Sequence, residues 1–284
     1  MIIEPLSLRH RELLYKPLKA IATAVSEYSF ANLYLFRAKH DYKVIRNGEI
    51  FITGRAASGD TYVMPTRDVR LMPSETLDRM IQTYGMMFPV LEEWLPAFDA
   101  GKYRISFDEG ESDYIHEIAK LASYSGNKLH GKKNLLNQFL KTYSSKALPL
   151  TDDRLADAMN VLDAWQRESR QPRADTDFAA CSEALSLYEE LVLCGGVYYV
   201  GDDPAGFIVG EELNEQMFAL HFAKAKTAYR GIYQYMYHQF AQIMPAKYTA
   251  FNFEQDLGLE SLRRAKASYY PEKMVRKYRV SKPA

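Results

Sequence analysis

The amino-acid sequence predicts an α/β protein made of two tandem halves, each a mixed, largely antiparallel sheet flanked by helices. Three observations predict this class. The chain has 284 residues, more than one compact domain usually contains. Short runs of alternating apolar residues are interspersed with longer helical patterns, which is typical of helices covering a sheet. The order of these elements also repeats along the chain.

The first half begins with two helices and a hairpin. Asn47-Gly48 is the strongest short hairpin signal, because both residues accept the positive φ angles of a tight type I′ turn. The predicted elements of this half are helices at residues 8–22 and 29–40, strands at 42–46, 49–54 and 61–64, a helix from Ser74, a strand at 103–107 and a helix at 127–143.

The second half follows the same order. Thr151-Asp152 is expected to cap a helix ending near residue 170, and Asp177 to begin another that stops at Gly195-Gly196. Tyr42 and Val197 are separated by 155 positions, as are Thr61 and Gln216, although residue identity between the halves is negligible. The remaining predicted elements are strands at 197–200, 206–211 and 216–222, a helix at 231–243, a strand at 248–253 and a helix at 257–268.

These patterns predict two domains, at residues 1–145 and 146–284. The basic helix at 127–143 is expected to bridge them, and the second domain is expected to carry the site.

Charge is unevenly distributed in a chain whose formal net charge is zero. Residues 118–151 contain six lysines and no acid, and residues 261–284 contain one acid against eight cations. Two such blocks suggest a local attraction for an anionic ligand, whereas a solvated helix face and a basic tail would explain either block alone. The cations are Lys120, Lys128, Lys132, Lys133, Lys141 and Lys146 in the first block, and Arg263, Arg264, Lys266, Lys273, Arg276, Lys277, Arg279 and Lys282 in the second.

Other composition features favour a cytoplasmic protein. No apolar run approaches the roughly 20 residues that span a bilayer, and the first residues lack the order of a signal peptide. Cys181 and Cys194 fall in a helical pattern and are expected to be reduced core residues. The six histidines have no metal-ligand spacing, so no metal site is predicted.

The most informative segment is a predicted strand that ends near His221 and leads through Tyr229-Arg230-Gly231 directly into a helix. Backbone N–H groups at a helix start, beside a glycine, can bind an anion. The element order and this turn resemble GNAT-type acyltransferases, whose corresponding turn holds the pyrophosphate of coenzyme A. Such enzymes carry a second glycine where this chain has Tyr233.

A closer resemblance is to the C-terminal domain family of phosphatidylglycerol lysyltransferases and its stand-alone relatives, over nearly the whole chain. Membrane-bound members of that family transfer an aminoacyl group from tRNA to a lipid, so the resemblance implies a tandem GNAT-like fold and suggests aminoacyl transfer. The residues that carry it are Glu27-Tyr28-Ser29-Phe30, Asn32-Leu33, Lys128 to Asn134, His221-Phe222, Lys224-Ala225, Tyr229, Gly231-Ile232-Tyr233-Gln234, Asp256-Leu257-Gly258, Leu262-Arg263, Ala265-Lys266 and Ser268-Tyr269.

Three residues are predicted to be catalytic: Glu254, His221 and Tyr269. Glu254 follows a predicted strand end and could take a proton from an attacking amine, and His221 could orient substrate or accept a proton. A lone histidine is more often structural, and Asp256 has an equal alternative as a helix cap. The predicted substrate-binding and phosphate-binding residues are Lys224, Tyr229, Arg230, Gly231, Gln234, Asp256, Arg263, Lys266, Lys128, Lys132 and Lys133.

The function expected from these features is transfer of an activated acyl or aminoacyl group to an amine or hydroxyl. The alternative is a binding or regulatory protein whose acyltransferase fold has lost catalysis. The candidate donors are aminoacyl-tRNA and acyl-coenzyme A, and ordinary acetyl-coenzyme A is expected to bind poorly because Tyr233 replaces a glycine. A tRNA or another phosphate-bearing partner is expected, with peripheral membrane contact as a further candidate and no DNA binding.

Overall fold

The computed structural model describes residues 1–56 and 58–283, and these ranges form a mixed α/β fold. The strands are β1 (Ile2–Pro5), β2 (Lys43–Asn47), β3 (Glu49–Arg55), β4 (Thr61–Pro65), β5 (Met86–Val90), β6 (Arg104–Phe107), β7 (Asp113–Glu117), β8 (Ser145–Pro149), β9 (Cys194–Val200), β10 (Asp203–Asn214), β11 (Met217–Ala225), β12 (Ala250–Asn252), β13 (Lys273–Val275) and β14 (Tyr278–Ser281). The helices are α1 (Arg11–Ala20), α2 (Phe30–Leu35), α3 (Arg37–His40), α4 (Ser74–Tyr84), α5 (Ile118–Ser123), α6 (His130–Thr142), α7 (Leu155–Ser169), α8 (Phe178–Ser186), α9 (Ile232–Ile243) and α10 (Glu260–Ala267).

The strands form two seven-stranded sheets with the same internal plan. The first sheet has the order β1-β2-β3-β4-β5-β14-β6, and the second has β8-β9-β10-β11-β12-β7-β13. Each sheet contains a parallel pair, β4 with β5 in the first and β11 with β12 in the second. A helix joins the two strands of each pair, α4 and α9 respectively. A parallel pair requires such a crossover, whereas tight turns suffice for the antiparallel neighbours. The predicted fold class is confirmed.

The sixth position of each sheet is occupied by a strand from the other half of the sequence. β14 pairs with both β5 and β6 in the first sheet, and β7 pairs with β12 in the second. We call this arrangement the strand exchange. Both exchanged strands are short, with five and four residues, and neither was predicted from the sequence.

The chain divides into two compact units. The first contains residues 1–113, 255–260 and 274–284, and the second contains residues 114–254 and 261–273. The segment 114–145, including the predicted bridging helix, therefore groups with the second unit. The predicted domains 1–145 and 146–284 stay a prediction, and the strand exchange shows why a division by sequence alone does not follow the sheets.

The core of the second unit lies between its sheet and helices α5, α6 and α9. Phe218 of β11 packs edge-on against Phe240 of α9, and Phe139 of α6 stacks on Tyr235 of α9 with ring centroids 4.7 Å apart. Helix α7 also packs against this sheet, at β10 and β11. Because successive side chains of a strand point to opposite faces, β11 presents one face to α9 and the other to α7.

Local signals in the sequence were confirmed at several elements. The β2–β3 hairpin pairs Asn47 with Glu49, and Gly48 has a φ of 75°, as a tight turn requires. Ser29 caps α2 by accepting a hydrogen bond from the Asn32 N–H. Among the described residues, no helix is both long and apolar enough to cross a membrane.

Two expectations in the second half were wrong. The helix from Asp177 ends at Ser186, and Gly195-Gly196 lies inside β9 rather than at a helix end. The glycine is needed there because a Cβ at Gly195 would lie 2.0 Å from the Ile208 carbonyl oxygen. Cys194 is consequently an exposed strand residue, whereas Cys181 is buried in α8 as expected, and both thiols are free.

Candidate functional site

A β-bulge at His221 begins the site. The register of β10 and β11 pairs Val209 with Phe222 and Gly210 with Leu220, so His221 is the extra residue between two consecutive pairs. A bulge locally changes the direction of a side chain relative to the regular ladder. The imidazole is buried, and it points toward acidic residues of two other segments.

The imidazole of His221 lies between two carboxylates. Its Nε2 is 3.0 Å from Oε1 of Glu211 on β10, and its Nδ1 is 2.8 Å from Oε1 of Glu254 after β12. Burial lowers the pKa of His221, but the two carboxylates outweigh burial and raise it to about 10. Donation to both carboxylates requires the doubly protonated, charged ring. It has no lone pair with which to accept a proton, so it suits an orienting role.

Glu254 is fixed by its backbone. Its φ is 60°, a left-handed conformation that residues other than glycine rarely adopt. The Glu254 N–H donates to Oδ1 of Asn252 at 2.5 Å, and its carbonyl accepts from the Tyr114 N–H at 3.3 Å. Such strained residues cost about 1–3 kcal/mol, persist only where the surroundings enforce them, and cluster at functional sites. The side chain of Glu254 is 12% exposed, more than those of its partner His221 or of Glu211.

Glu254 also lies where two strands of the second sheet diverge. β11 and β12 are paired only from Met217 to Ala219 on β11, opposite Ala250 to Asn252 on β12. β11 continues to Ala225, whereas β12 ends at Asn252. The imidazole and the carboxylate of Glu254 therefore come together just beyond the last pair of parallel strands, where α/β proteins place ligand-binding groups.

Lys224 is brought to α7 rather than to Glu254. Its Nζ donates to both carboxylate oxygens of Asp177, at 2.7 and 2.8 Å, and lies 3.6 Å from the ring centroid of Trp165. The charge of Lys224 is thus paired within the protein in this structure. A role in binding an anionic substrate stays a prediction.

The turn at residues 229–231 is contacted by residues of other segments. The Tyr229 hydroxyl donates to Asp203 at 2.7 Å, and Arg230 is exposed. Gly231 has a φ of 91° at the start of α9, and a Cβ there would lie 2.6 Å from the Leu135 carbonyl oxygen of α6. The glycine is therefore required by the close approach of α6, which gives it a packing role beside the anion-binding role predicted from the sequence.

A second group of predicted residues forms around Tyr269. Gln234 donates from Nε2 to the Tyr269 hydroxyl at 2.8 Å, and the Lys132 Nζ lies 3.9 Å from the Tyr269 ring centroid. Lys132 also donates to Oγ of Ser268 at 2.7 Å, and burial lowers its pKa. Burial raises the pKa of Tyr269 well above its usual value, so its hydroxyl stays protonated. α6, α9 and the segment after α10 together build this group.

The two groups lie on opposite faces of the second sheet. Phe218 and Leu220 belong to the core that contains Tyr269, whereas Glu211 pairs with Ala219, whose side chain points to the other face. The remaining predicted residues are dispersed. Lys133 is exposed on α6, and Lys128 is exposed just before it, 5.7 Å from the Tyr270 ring centroid. On α10, Arg263 is exposed and Lys266 is half-buried.

Asp256 holds a turn in the first unit. Its Oδ1 accepts from the Gly258 N–H at 2.7 Å, and its carbonyl accepts from the Leu259 N–H at 3.0 Å. α10 begins later than predicted, at Glu260, so Asp256 shapes the turn before the helix rather than its first residue.

Sequence reasoning missed a fully buried ionic cluster in the first unit. The Lys277 Nζ lies 2.6 Å from Oε2 of Glu27 and 2.6 Å from Oδ1 of Asp113. Ser26 completes the cluster by donating its N–H to Oδ2 of Asp113 at 2.8 Å. Burial raises the pKa of Glu27 to about 7, with Asp113 adding to it and Lys277 opposing it. We call these four residues the Lys277 cluster.

Lys277 and Glu211 share a sequence signature of a buried charge; from the sequence, Glu211 was open to a catalytic or a structural role, and the burial of Lys277 was overlooked. Glu211 follows a run of apolar and glycine residues inside a strand, and Lys277 lies immediately before β14 among other cations. A charged residue at a position where the strand pattern demands burial is expected to have a buried partner of opposite charge.

The fold defines a class of mixed α/β proteins with two seven-stranded sheets of one plan, each flanked by helices. Residues 18–281 match the family described as Phosphatidylglycerol lysyltransferase, C-terminal, and the chain belongs to this family.

Solved structures share the fold. A conserved protein of unknown function from Bacteroides thetaiotaomicron is 26% identical, with a TM-score of 0.82 and 100% of both chains covered. The C-terminal domain of a putative lysylphosphatidylglycerol synthetase from Agrobacterium fabrum is 14% identical, with a TM-score of 0.63 over 95% of this chain and 92% of that one. L-PGS from Bacillus licheniformis is 15% identical, with a TM-score of 0.64 over 98% and 92%. At these identities the last two show the fold alone.

A curated relative extends the comparison to sequence. An uncharacterized protein of Mycoplasmoides gallisepticum is 27% identical over 195 residues, which is 66% of this chain. The match spans 61% of the length of that relative.

Proposed function

We propose that the protein transfers an acyl or aminoacyl group from an activated carrier to an amine or hydroxyl acceptor. Membership of the phosphatidylglycerol lysyltransferase C-terminal family and the tandem GNAT-like fold support this class of reaction. Because one fold hosts many functions, the residues of the site must carry the rest of the argument.

The observation that carries the proposal is the placement of Glu254. An amine nucleophile must lose a proton as it attacks, and a carboxylate at the site can take that proton. The Glu254 carboxylate is oriented by His221, its backbone is held in a strained conformation, and it lies where β11 and β12 diverge. In the proposed step the acceptor attacks the carbonyl carbon and Glu254 takes the acceptor's proton. The bond from that carbon to the carrier oxygen then breaks, and Glu254 returns the proton to this oxygen, so that the carrier leaves as an alcohol.

Polarisation of the carbonyl group is assigned to the backbone near residues 222–224. β11 runs on past its last pair with β12, and the bulge at His221 interrupts the regular register immediately before these residues. N–H groups aimed at the oxygen where negative charge develops lower the barrier of acyl transfer.

A phosphate-bearing carrier larger than acetyl-coenzyme A is the donor that the surface favours. Tyr233 is half-buried where a second glycine would admit a pyrophosphate, and burial raises its pKa to about 12, against a backbone hydrogen bond from Ala225. Gly231 is already packed against the Leu135 carbonyl of α6. Cations on and near α6 and α10 would instead suit the backbone of an aminoacyl-tRNA, a carrier long enough to extend from that side of the sheet to the opposite face, where Glu254 lies: Lys128, Lys132, Lys133, Arg263 and Lys266.

A single-turnover transfer assay tests the reaction. Purified protein is mixed with a pool of radiolabelled aminoacyl-tRNAs and with amine or hydroxyl acceptors, and the labelled acceptor is counted. Glu254→Gln should reduce the rate about 100-fold or more. Glu212→Gln is the matched control, since Glu212 neighbours Glu211 on β10 but pairs with Lys247. A Glu254→Gln variant as active as the control would contradict the assigned role.

Binding measurements test the donor. tRNA affinity should fall steeply with salt, and the triple change of Lys128, Lys132 and Lys133 to alanine should reduce that slope. Calorimetry with acetyl-coenzyme A should show weak binding. Tight coenzyme A binding without tRNA affinity would indicate a conventional acetyltransferase. Binding of tRNA with no transfer to any acceptor would favour the alternative, a regulatory protein with a catalytically inactive fold.

A further inference from the structure

We propose that Glu211 is a positioning residue, which keeps His221 doubly protonated so that the imidazolium holds the Glu254 carboxylate in place. This inference rests on the proposed function for its catalytic consequence, but its structural part can be tested without any activity.

The geometry is a linear chain of three side chains from three segments. Glu211 on β10, His221 in the bulge of β11 and Glu254 after β12 are joined by contacts of 3.0 and 2.8 Å through the two ring nitrogens. A neutral imidazole has only one N–H, so it can donate to one carboxylate and would turn a lone pair toward the other. Two carboxylates at hydrogen-bond distance therefore select the charged form.

Burial strengthens the preference for the charged form of His221. The side chains of His221 and Glu211 are 0% and 3% exposed, so neither charge is solvated by bulk water. A buried Glu211 needs a cationic partner, and His221 is that partner in this structure. Two further titratable groups lie near these three side chains. Lys224 on β11 is paired with Asp177. The Cys194 thiol on β9 has its pKa raised to about 11 by burial and by Glu211.

The different exposures of the Glu211 and Glu254 side chains give the two carboxylates different roles. Glu211 is the inaccessible end of the chain, and Glu254 is the end with 12% of its side chain exposed. An imidazolium donating to Glu254 fixes the rotation of its carboxylate. Glu211 compensates the charge of the ring, so that the imidazolium remains stable while buried.

The structural part is tested by NMR of the full chain labelled with 15N at histidine. His221 is assigned with the His221→Gln variant. In the wild type, both of its nitrogens should remain protonated from pH 6 to pH 8.5. In Glu211→Gln the ring should become neutral within that range, while Glu212→Gln should leave it charged. A neutral His221 at pH 7 in the wild type, or a charged one in Glu211→Gln, would overturn the proposal.

The kinetic part uses the transfer assay. Glu211→Gln should lower kcat at least about tenfold with little change in KM, because the acceptor and carrier do not touch Glu211. The loss should not be additive with that of His221→Gln, since both changes break one chain. Additive losses, or a change in KM alone, would refute the positioning role. If the NMR result holds while no variant or wild-type protein transfers any group, the proposed function fails and the three-residue arrangement stands.

Discussion

Replacing Lys277 with methionine should be among the most destabilising changes available in the first unit. The methionine chain fills much of the space of the lysine stem but leaves Glu27 and Asp113 without their cation. The two carboxylates remain buried, at 5% and 0% exposure. Removing one partner of a buried ion pair typically costs about 3–5 kcal/mol, far more than the pair contributes relative to apolar residues.

The loss should also depend on pH. Burial raises the pKa of Glu27 to about 7 although Lys277 lowers it, and removing Lys277 raises it further, so acid favours a neutral Glu27 and reduces the repulsion with Asp113. Asp113 keeps the N–H and hydroxyl of Ser26 as donors. We therefore expect the full loss at pH 8 and a smaller one at pH 5.

Urea unfolding followed by tryptophan fluorescence measures this directly. Trp94 is buried 5.7 Å from the Tyr28 ring, beside Glu27, and a Trp165→Phe background makes it the only tryptophan. Lys146→Met is the matched control, because its partner Asp202 is fully exposed and such pairs contribute little. A loss below about 1 kcal/mol at pH 8, or one equal to the control, would refute the reasoning.

Further outcomes follow from the structure. Gly131→Ala should stabilise α6 by about 0.5 kcal/mol, because a Cβ at this position meets nothing within 4 Å. Gly195→Ala should strongly lower the melting temperature, because its Cβ would lie 2.0 Å from the Ile208 carbonyl oxygen. The free energy of unfolding should fall as pH rises from 6.5 through about 10, because the pKa of His221 is raised to about 10 on folding. Urea titrations across this range should show no such fall in His221→Gln. Stability should also fall as pH rises from 4.5 through about 7, because the pKa of Glu27 is raised on folding, and an unchanged slope in Glu27→Gln would count against this assignment.

Elements with local signals were predictable from the sequence. Asn47-Gly48 located a hairpin, and the equal spacing of the halves anticipated two sheets of one plan. The strand exchange was not predictable in this way. β7 and β14 are short, and their partners lie far away in sequence, so no local pattern specifies which sheet they join.

The site was predictable to a similar extent. Glu254 and His221 were chosen because each lies near a predicted strand end, and the structure brings them into contact, although β11 continues past His221 to Ala225; their catalytic role stays a prediction. Tyr269 and Gln234 also meet, but on the opposite face, because α9 and the segment after α10 pack there. The Lys277 cluster was overlooked because burial of a charge depends on a partner that only the folded chain supplies.

The strand exchange also bears on the order in which the protein can fold during synthesis. β14 lies between β5 and β6, so the first sheet has a missing strand until residues 278–281 have left the ribosome. The second sheet, by contrast, takes up a β7 that has been synthesised long before its neighbour β12. A nascent chain would therefore expose two unpaired strand edges, of the kind that chaperones bind and that promote aggregation, until β14 has been synthesised.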